Sequence, residues 1–240
     1  MLELQNISWS LPERSDILRD VNLKLEDGKL TVVTGPNGGG KTSLAKAIAG
    51  LIPSVTGRIL LDGEDISDYN VTQRAHAGVS FGFQQPVRFK GITVRMMLDI
   101  AAGRELNMDE LCDLLGKVGL CTVDYIDRDV DGSLSGGEIK RVEIATVLAR
   151  GTKLSIFDEP EAGIDIWSFN GLVDVFEKLK NGDQSLLVIS HQERILNIAD
   201  DIVVIADGRI REHGPKDSVL PRLLEGEIAG HCPVGRLATA

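Results

Sequence analysis

Eight residues, Gly35-Pro36-Asn37-Gly38-Gly39-Gly40-Lys41-Thr42, carry the spacing of a loop that binds phosphate. Glycines let backbone N–H groups face an anion that side chains would keep away. Gly35, Asn37, Gly38, Gly39 and Gly40 form the wrap, Lys41 has the reach for β- and γ-phosphates, and the Thr42 hydroxyl, followed by Ser43, is placed to ligate magnesium. A second run, Leu154-Ser155-Ile156-Phe157-Asp158-Glu159, is a short apolar strand that ends on two carboxylates. Ligands of an open α/β sheet gather outside the carboxyl ends of its strands. There Asp158 would join the magnesium shell, and Glu159 would accept a proton or hydrogen bonds from attacking water. Gln84 and His191 close two further apolar runs, residues 78–83 and 186–190. Gln84 suits sensing of magnesium and water, and a neutral His191 suits donation to a γ-phosphate or orientation of the water. Alone, each of these is an ordinary turn residue; the phosphate loop gives them a common purpose.

Leu134-Ser135-Gly136-Gly137-Glu138 adds a second phosphate-seeking element. Its glycines leave the amides bare where a helix begins, ahead of the apolar-periodic run through Val142, Ala145 and Ala149. By itself such a turn is a helix cap, and the five residues gain meaning only from the loop and the acids.

The elements that must position these residues alternate between strand and helix. Leu2–Ile7 and Val21–Leu25 alternate apolar and polar residues as half-buried strands, with a loop containing Pro12 between them. Leu30–Thr34 leads through the glycine-rich turn into a helix near Lys41, and strands follow at residues 57–61 and 78–83. From about Gln85 to Arg150 the periodicity is helical, near Thr93–Ala102, Asp109–Val118 and Gly136–Ala149, which predicts a helical insertion in an α/β domain. Apolar strands return at 153–157, 185–190 and 201–206, and Gly208-Arg209-Ile210 continues from a turn. The stretch from Pro215 is a helix and a tail.

Length and charge bound the rest. The chain has 240 residues, enough for one large domain or two small ones, and only 4% aromatics, so aliphatic side chains must fill the core. A net charge of −10 weighs against general affinity for nucleic acid. The sequence holds no apolar run of roughly 18 residues and no basic-then-apolar leader, which predicts a cytoplasmic protein. Cys112, Cys121 and Cys232 form no C-x-x-C pair, and His231-Cys232 makes a poor metal site on its own.

In this order, the phosphate loop, Gln84, the signature at Leu134–Glu138, Asp158 and Glu159, Asp165 and His191 resemble the ATP-binding cassette family over nearly the whole chain. The resemblance implies a P-loop NTPase: an α/β RecA-like core (1–84 and 151–214), an antiparallel β-subdomain, an inserted helical subdomain (85–150) and a C-terminal helix and tail (215–240). It implies ATP and magnesium as ligands. It also implies a head-to-tail pair of copies, Ser135, Gly136 and Gly137 of each completing the other's ATP site, with Asp165 in the loop between. One position departs: Leu11 stands where the family stacks an aromatic ring on adenine, with Trp9 two residues earlier.

Within the family, three stretches resemble the ATPase subunit of the SUF iron–sulfur cluster assembly machinery. They are Phe83-Gln84-Gln85-Pro86-Val87 with Gly91-Ile92, the acid-x-Gly-x-Asp run Glu161–Asp165, and His191-Gln192-Glu193-Arg194-Ile195-Leu196. The partner so implied is a β-helical scaffold protein docked near the Gln84 loop and the helical subdomain. Pro160 is the choice of transporter ATPases, whose partner is a membrane permease, and Ile139 replaces a typical Lys. A repair or translation ATPase would bring a zinc-binding or coiled-coil insertion, which this sequence lacks.

Overall fold

The computed structural model describes residues 1–11, 14–53, 55–85, 88–180, 182 and 184–226, without the side chains of residues 14 and 15. The Pro12 turn and the His231-Cys232 pair lie outside the described residues.

The chain opens with β1 (Leu2–Leu11) and β2 (Arg14–Leu25), then β3 (Leu30–Thr34), α1 (Lys41–Ala49), β4 (Thr56–Leu61) and β5 (Glu64–Asp65). After α2 (Val71–Ala77) and β6 (Val79–Gly82) come four helices: α3 (Val94–Ala102), α4 (Met108–Lys117), α5 (Thr122–Tyr125) and α6 (Gly136–Ala149). The remainder is β7 (Leu154–Asp158), α7 (Ile166–Lys180), β8 (Ser185–Ile189), α8 (Glu193–Ile198), β9 (Asp201–Ala206), β10 (Arg209–Pro215) and α9 (Lys216–Leu224). Among the described residues no helix is long and apolar enough to cross a membrane.

Two sheets result. One is antiparallel, ordered β2-β1-β4-β5; the other runs β10-β9-β3-β8-β7-β6, parallel except for β10. The strands of the parallel region are mostly apolar and buried on both faces, with a few small polar residues such as Thr31, Ser80 and Ser155 among them. Successive residues divide between the faces: Leu30, Val32, Phe157, Val188 and Ile202 pack with the helical segment, α6 and α7. Val33, Ile156, Leu187, Ile189 and Val203 pack with α1 and the antiparallel sheet. The α/β reading therefore holds, with a helical insertion on one side and an antiparallel layer on the other.

The first two strands run beyond the alternating stretches. Alternation fails at Asn6 and Asp20, which take positive φ of 55° and 52°, and the β1–β2 register shifts between Leu4 and Ile7 and again toward Leu11. Side chains fill the gaps in the ladder: Asn22 Oδ1 accepts from the Asn6 N–H at 2.9 Å, and Asp20 Oδ1 from Asn6 Nδ2 at 2.6 Å. Such bulges conceal a strand from period-2 analysis. The helix α2 has a different disguise, being seven residues long with a capping box between Asn70 and Gln73 as its main signal.

Arg74 of α2 is 4% exposed and has no acid against it. Its guanidinium donates to Ala47 O (2.6 Å) and Ile48 O (2.8 Å), carbonyls in the last turn of α1, and to Tyr69 O (3.0 Å) and Ser67 O (2.8 Å). One side chain thus caps the helix that begins at the phosphate loop and pins it to the segment following β5. Burial lowers the pKa of this arginine, and four carbonyls keep its charge in place. Arg74→Met should strand several buried acceptors and cost about 2–4 kcal/mol. Urea unfolding would show this as a lower midpoint with unchanged slope; an unchanged midpoint would contradict the capping role.

Candidate active site

Parallel strands put their carboxyl ends on one edge, and that edge collects the sequence-predicted residues. β3 ends at Thr34 and runs into the phosphate loop, β7 ends at Asp158, β8 is followed by His191 and β6 by Gln84. The register fixes their levels, with Asp158 beside Ile189 and Gly82 beside Phe157.

The phosphate loop leaves no room for a side chain at Gly35 or Gly39. A Cβ on Gly35 would lie 2.0 Å from Ile205 O, and one on Gly39 would lie 2.9 Å from both Ile205 O and Pro36 O. Gly40, at φ 107°, starts α1 with its amides bare, as the N-cap makes no side-chain hydrogen bond. Lys41 is 6% exposed, and its Nζ donates to Gly35 O (2.9 Å) and Pro36 O (3.1 Å). Burial lowers its pKa, while Glu159 and Asp158 act in the opposite sense. The ammonium is thus parked on loop carbonyls, on the concave side where an anion would replace them.

Thr42 Oγ1 donates to Asp158 Oδ1 at 3.0 Å. Hydroxyl and carboxylate oxygens are the hard donors magnesium prefers, so this pair fits the ion. Burial pushes the Asp158 carboxyl above the ordinary aspartate range, and Glu159 adds to the rise although the Thr42 hydrogen bond opposes it. Glu159 has a φ of 44°, in the left-handed region that non-glycine residues seldom enter, and its N–H is tied to Ile189 O at 3.0 Å. Gln84 Nε2 donates to Glu159 Oε2 at 2.7 Å. Gln84 and Glu159 are therefore partners, while His191 stands exposed at the end of β8.

The signature turn opens α6. Ser135 is the N-cap of α6, its Oγ accepting from Glu138 N at 3.3 Å while Glu138 Oε2 accepts from Ser135 N at 2.7 Å. Tyr125 donates its hydroxyl to Glu138, which together with Ser135 N–H keeps that acid below the usual glutamate range. Capping uses a lone pair of the Ser135 hydroxyl and leaves its proton free to donate; the Gly136 and Gly137 amides, in the first turn, have no partner within the helix. These glycines pack against the loop of Asp165: a Cβ on Gly136 would meet Gly163 O at 3.1 Å, and one on Gly137 would meet Ser168 Oγ at 2.3 Å. Asp165 in turn caps α7, accepting from Trp167 N (2.9 Å), Ser168 N (3.0 Å) and Ser168 Oγ (2.7 Å), bonds that hold its carboxyl below the ordinary range. The predicted residues thus form two groups: Lys41, Thr42, Gln84, Asp158, Glu159 and His191 at the strand ends, and Ser135, Gly136, Gly137 and Asp165 at the starts of α6 and α7, where Gly136 lines a small pocket together with Gln84.

Three participants escape a sequence reading. Lys140, 3% exposed, donates from Nζ to Gln84 O (3.2 Å) and Glu143 Oε2 (2.7 Å), and Glu143 Oε1 accepts from Phe83 N (2.9 Å). α6 thereby grips the Gln84 loop by its backbone. Glu161 is buried, accepts from Ser190 Oγ, and leaves Oε2 without a hydrogen bond among the described residues. Burial raises its pKa despite the Ser190 bond. The charged residues on an otherwise apolar face of α6 were the available signal. Trp9, by contrast, is committed to the fold: it packs on the core and donates Nε1 to Pro53 O at 3.0 Å, while Leu11 is 41% exposed at the end of β1.

A family model described as "ABC transporter" matches residues 18–162. An uncharacterized ABC transporter ATP-binding protein of Methanocaldococcus jannaschii is 39% identical over 211 residues, 84% of each chain. A probable ATP-dependent transporter of Synechocystis is 33% identical over 235 residues, 92% of this chain and 91% of its own. Among solved structures, a dimeric ATP-binding cassette in a post-hydrolysis state with ADP and Pi superposes with a TM-score of 0.77 at 21% identity, over 90% of this chain and 99% of its own.

The raised pKa of Asp158 has a consequence for stability. The carboxyl's contribution is complete below the unfolded-state aspartate pKa and is lost as pH rises through the higher folded-state value, so at neutral pH an ionised acid is held at a cost. Asp158→Asn removes that charge and keeps an oxygen for Thr42. Without nucleotide its midpoint of thermal unfolding at pH 7 should rise by about 2–4 °C, with a smaller gain at pH 4. A fall at pH 7 would mean that the charge stabilises the empty site.

Proposed function

Because the chain belongs to the ABC transporter family, as its ATPase domain, we propose that it is the ATP-hydrolysing subunit of a larger assembly and works as a head-to-tail pair. The observation that carries this reading is the division of the site residues into two groups. The sheet edge has a phosphate loop, two acids, a glutamine and His191. The Ser135 hydroxyl and the Gly136 and Gly137 amides are a second set of donors, at the start of α6 and with no hydrogen bond to the phosphate loop among the described residues. A second copy in the opposite orientation satisfies both, and the dimeric cassette with ADP and Pi supports this arrangement.

The residues then act in order. ATP phosphates displace the carbonyls of Gly35 and Pro36 from Lys41 and accept from the bare amides of residues 38–43. Thr42, Asp158 and Gln84 would hold magnesium, which supplies positive charge to the phosphates. To do so Gln84 must give up Glu159, whose freed carboxylate accepts a proton from water as the water oxygen bonds to the γ-phosphorus. The bond from that phosphorus to the β–γ bridging oxygen breaks, and ADP and phosphate leave. His191 donates to the γ-phosphate, and Ser135, Gly136 and Gly137 of the second copy neutralise the charge that accumulates there. Leu11, exposed at the end of β1, offers adenine an apolar contact.

What the ATPase drives is a separate protein. We favour a SUF-type scaffold that assembles an iron–sulfur cluster in the cytoplasm, with a membrane permease as the alternative. Two features support a docking partner beside Gln84. A groove of about 410 Å³ opens between α2, β6, α3 and α6, lined by apolar side chains that include Phe83, Phe89, Met97 and Ile139. Lys140 and Glu143 connect that neighbourhood to the helix bearing the signature. In that reading the cluster resides on the scaffold, as the resemblance to the SUF ATPase subunit implies.

Glu159→Gln should bind ATP as the parent does, accumulate as an ATP-dependent dimer in size-exclusion chromatography, and turn over about 10²–10⁴-fold more slowly. Turnover near the parent's would remove Glu159 from the role of base. Affinity purification of the chain from its own cells should bring down a scaffold protein carrying iron and sulfide, and Phe89→Ser should weaken that association at least about fivefold. Recovery of a membrane permease in its place would select the transport reading.

A further inference from the structure

The first turn of α7 presents Ile166 and Trp167, 70% and 81% exposed. A single exposed aliphatic residue is ordinary, but an outward tryptophan next to an outward isoleucine is a large apolar area with nothing of its own chain against it. The turn is also rigid: Asp165 accepts from the Trp167 and Ser168 backbone amides at 2.9 and 3.0 Å. Through the close approach of Gly137 to Ser168 it is keyed to the signature. Ser135, Gly136, Asp165 and Trp167 therefore form one body. Any surface that closes on the signature amides also closes on Trp167.

On the phosphate-loop side a surface of complementary chemistry lies beside Gly38. It is an open basin of about 610 Å³ lined by Ile17, by Arg19, Arg209 and Arg211, and by the acids Asp16 and Asp207. Arg211 is paired with Asp207 at 2.6 Å, and Arg19 donates to Asp16 O at 3.0 Å. Arg209 is exposed and forms no hydrogen bond or ion pair among the described residues. An indole face binds a guanidinium by cation–π stacking while its apolar body covers an aliphatic floor.

Resting on the head-to-tail reading above, we propose that Trp167 of each copy docks into the Arg209 basin of the other. The occupant is a second copy of this chain because both surfaces are contiguous with the two halves that such a pair joins: Trp167 with the signature, the basin with the phosphate loop. The contact also has a physical task. Each copy carries a net charge of −10, so closure brings together two acidic bodies, and an apolar, cation-assisted anchor beside the ATP offsets their repulsion. ATP binding thereby becomes coupled to burial of a tryptophan.

The chain has two tryptophans; Trp9 is half-buried against the core and held to Pro53 O, so an emission change that is lost with Trp167→Phe reports on Trp167. In Glu159→Gln protein, adding magnesium and ATP should shift tryptophan emission to the blue and protect it from acrylamide, in step with dimer formation measured by light scattering. Both changes should vanish in Glu159→Gln/Trp167→Phe. In the Glu159→Gln background, Trp167→Ser should raise the dissociation constant of the ATP-bound dimer at least about fivefold, and Arg209→Ala about two- to fivefold. An ATP-bound dimer with unchanged emission and quenching, or one that Trp167→Ser leaves equally tight, overturns the docking and leaves the head-to-tail reading intact. A protein that stays monomeric with ATP overturns both.

Discussion

At Gly35 and Gly39 the phosphate loop runs so close to the end of β9 that these two positions can be built only without a side chain. A Cβ at Gly35 would collide with Ile205 O, and Gly39 is confined between that carbonyl and Pro36 O. This contact presses the phosphate loop against the sheet and turns its amides toward the space above the strand ends. The order β9-β3-β8-β7-β6 then follows as the scaffold that brings Asp158, Glu159, His191 and Gln84 to the same space. Arg74 holds the other end of α1, so the loop is secured at the sheet and the helix is secured at its last carbonyls.

An anion site made in this way gathers charge that water would otherwise solvate. Lys41 is buried and its pKa falls, while Asp158 and Glu161 are buried and theirs rise. The empty site thus stores unfavourable electrostatics that a magnesium nucleotide would relieve. Glu159, with its left-handed backbone, and the unpartnered Oε2 of Glu161 belong to the same strained region. Stability has been given up where chemistry takes place.

Much of this arrangement was legible in the sequence, because its strongest signals are local. The glycine spacing of 35–40, the largely apolar strands at 30–34 and 201–206, and the glycines that open α6 each report a backbone requirement directly. What eluded the sequence depends on partners far along the chain. Lys140 looks like a surface residue until the Gln84 loop lies against it, and Arg74 looks exposed until α1 ends beneath it. The β1–β2 hairpin was shortened in the reading because Asn6 and Asp20 interrupt the alternation with bulges. Ser135 proved to have two uses, since capping α6 does not consume its hydroxyl proton.

The central claim is that each ATP site draws on two chains, and complementation tests it most directly. Ser135→Arg protein keeps an intact phosphate loop, Lys41→Ala protein keeps an intact signature, and each alone should be inactive. In an equimolar mixture half of the dimers pair one of each and contain one complete site, so ATPase activity should return to at most about a quarter of the parent's. A mixture as inactive as its components would contradict shared sites, as would Ser135→Arg protein that hydrolyses ATP by itself at the parent's rate.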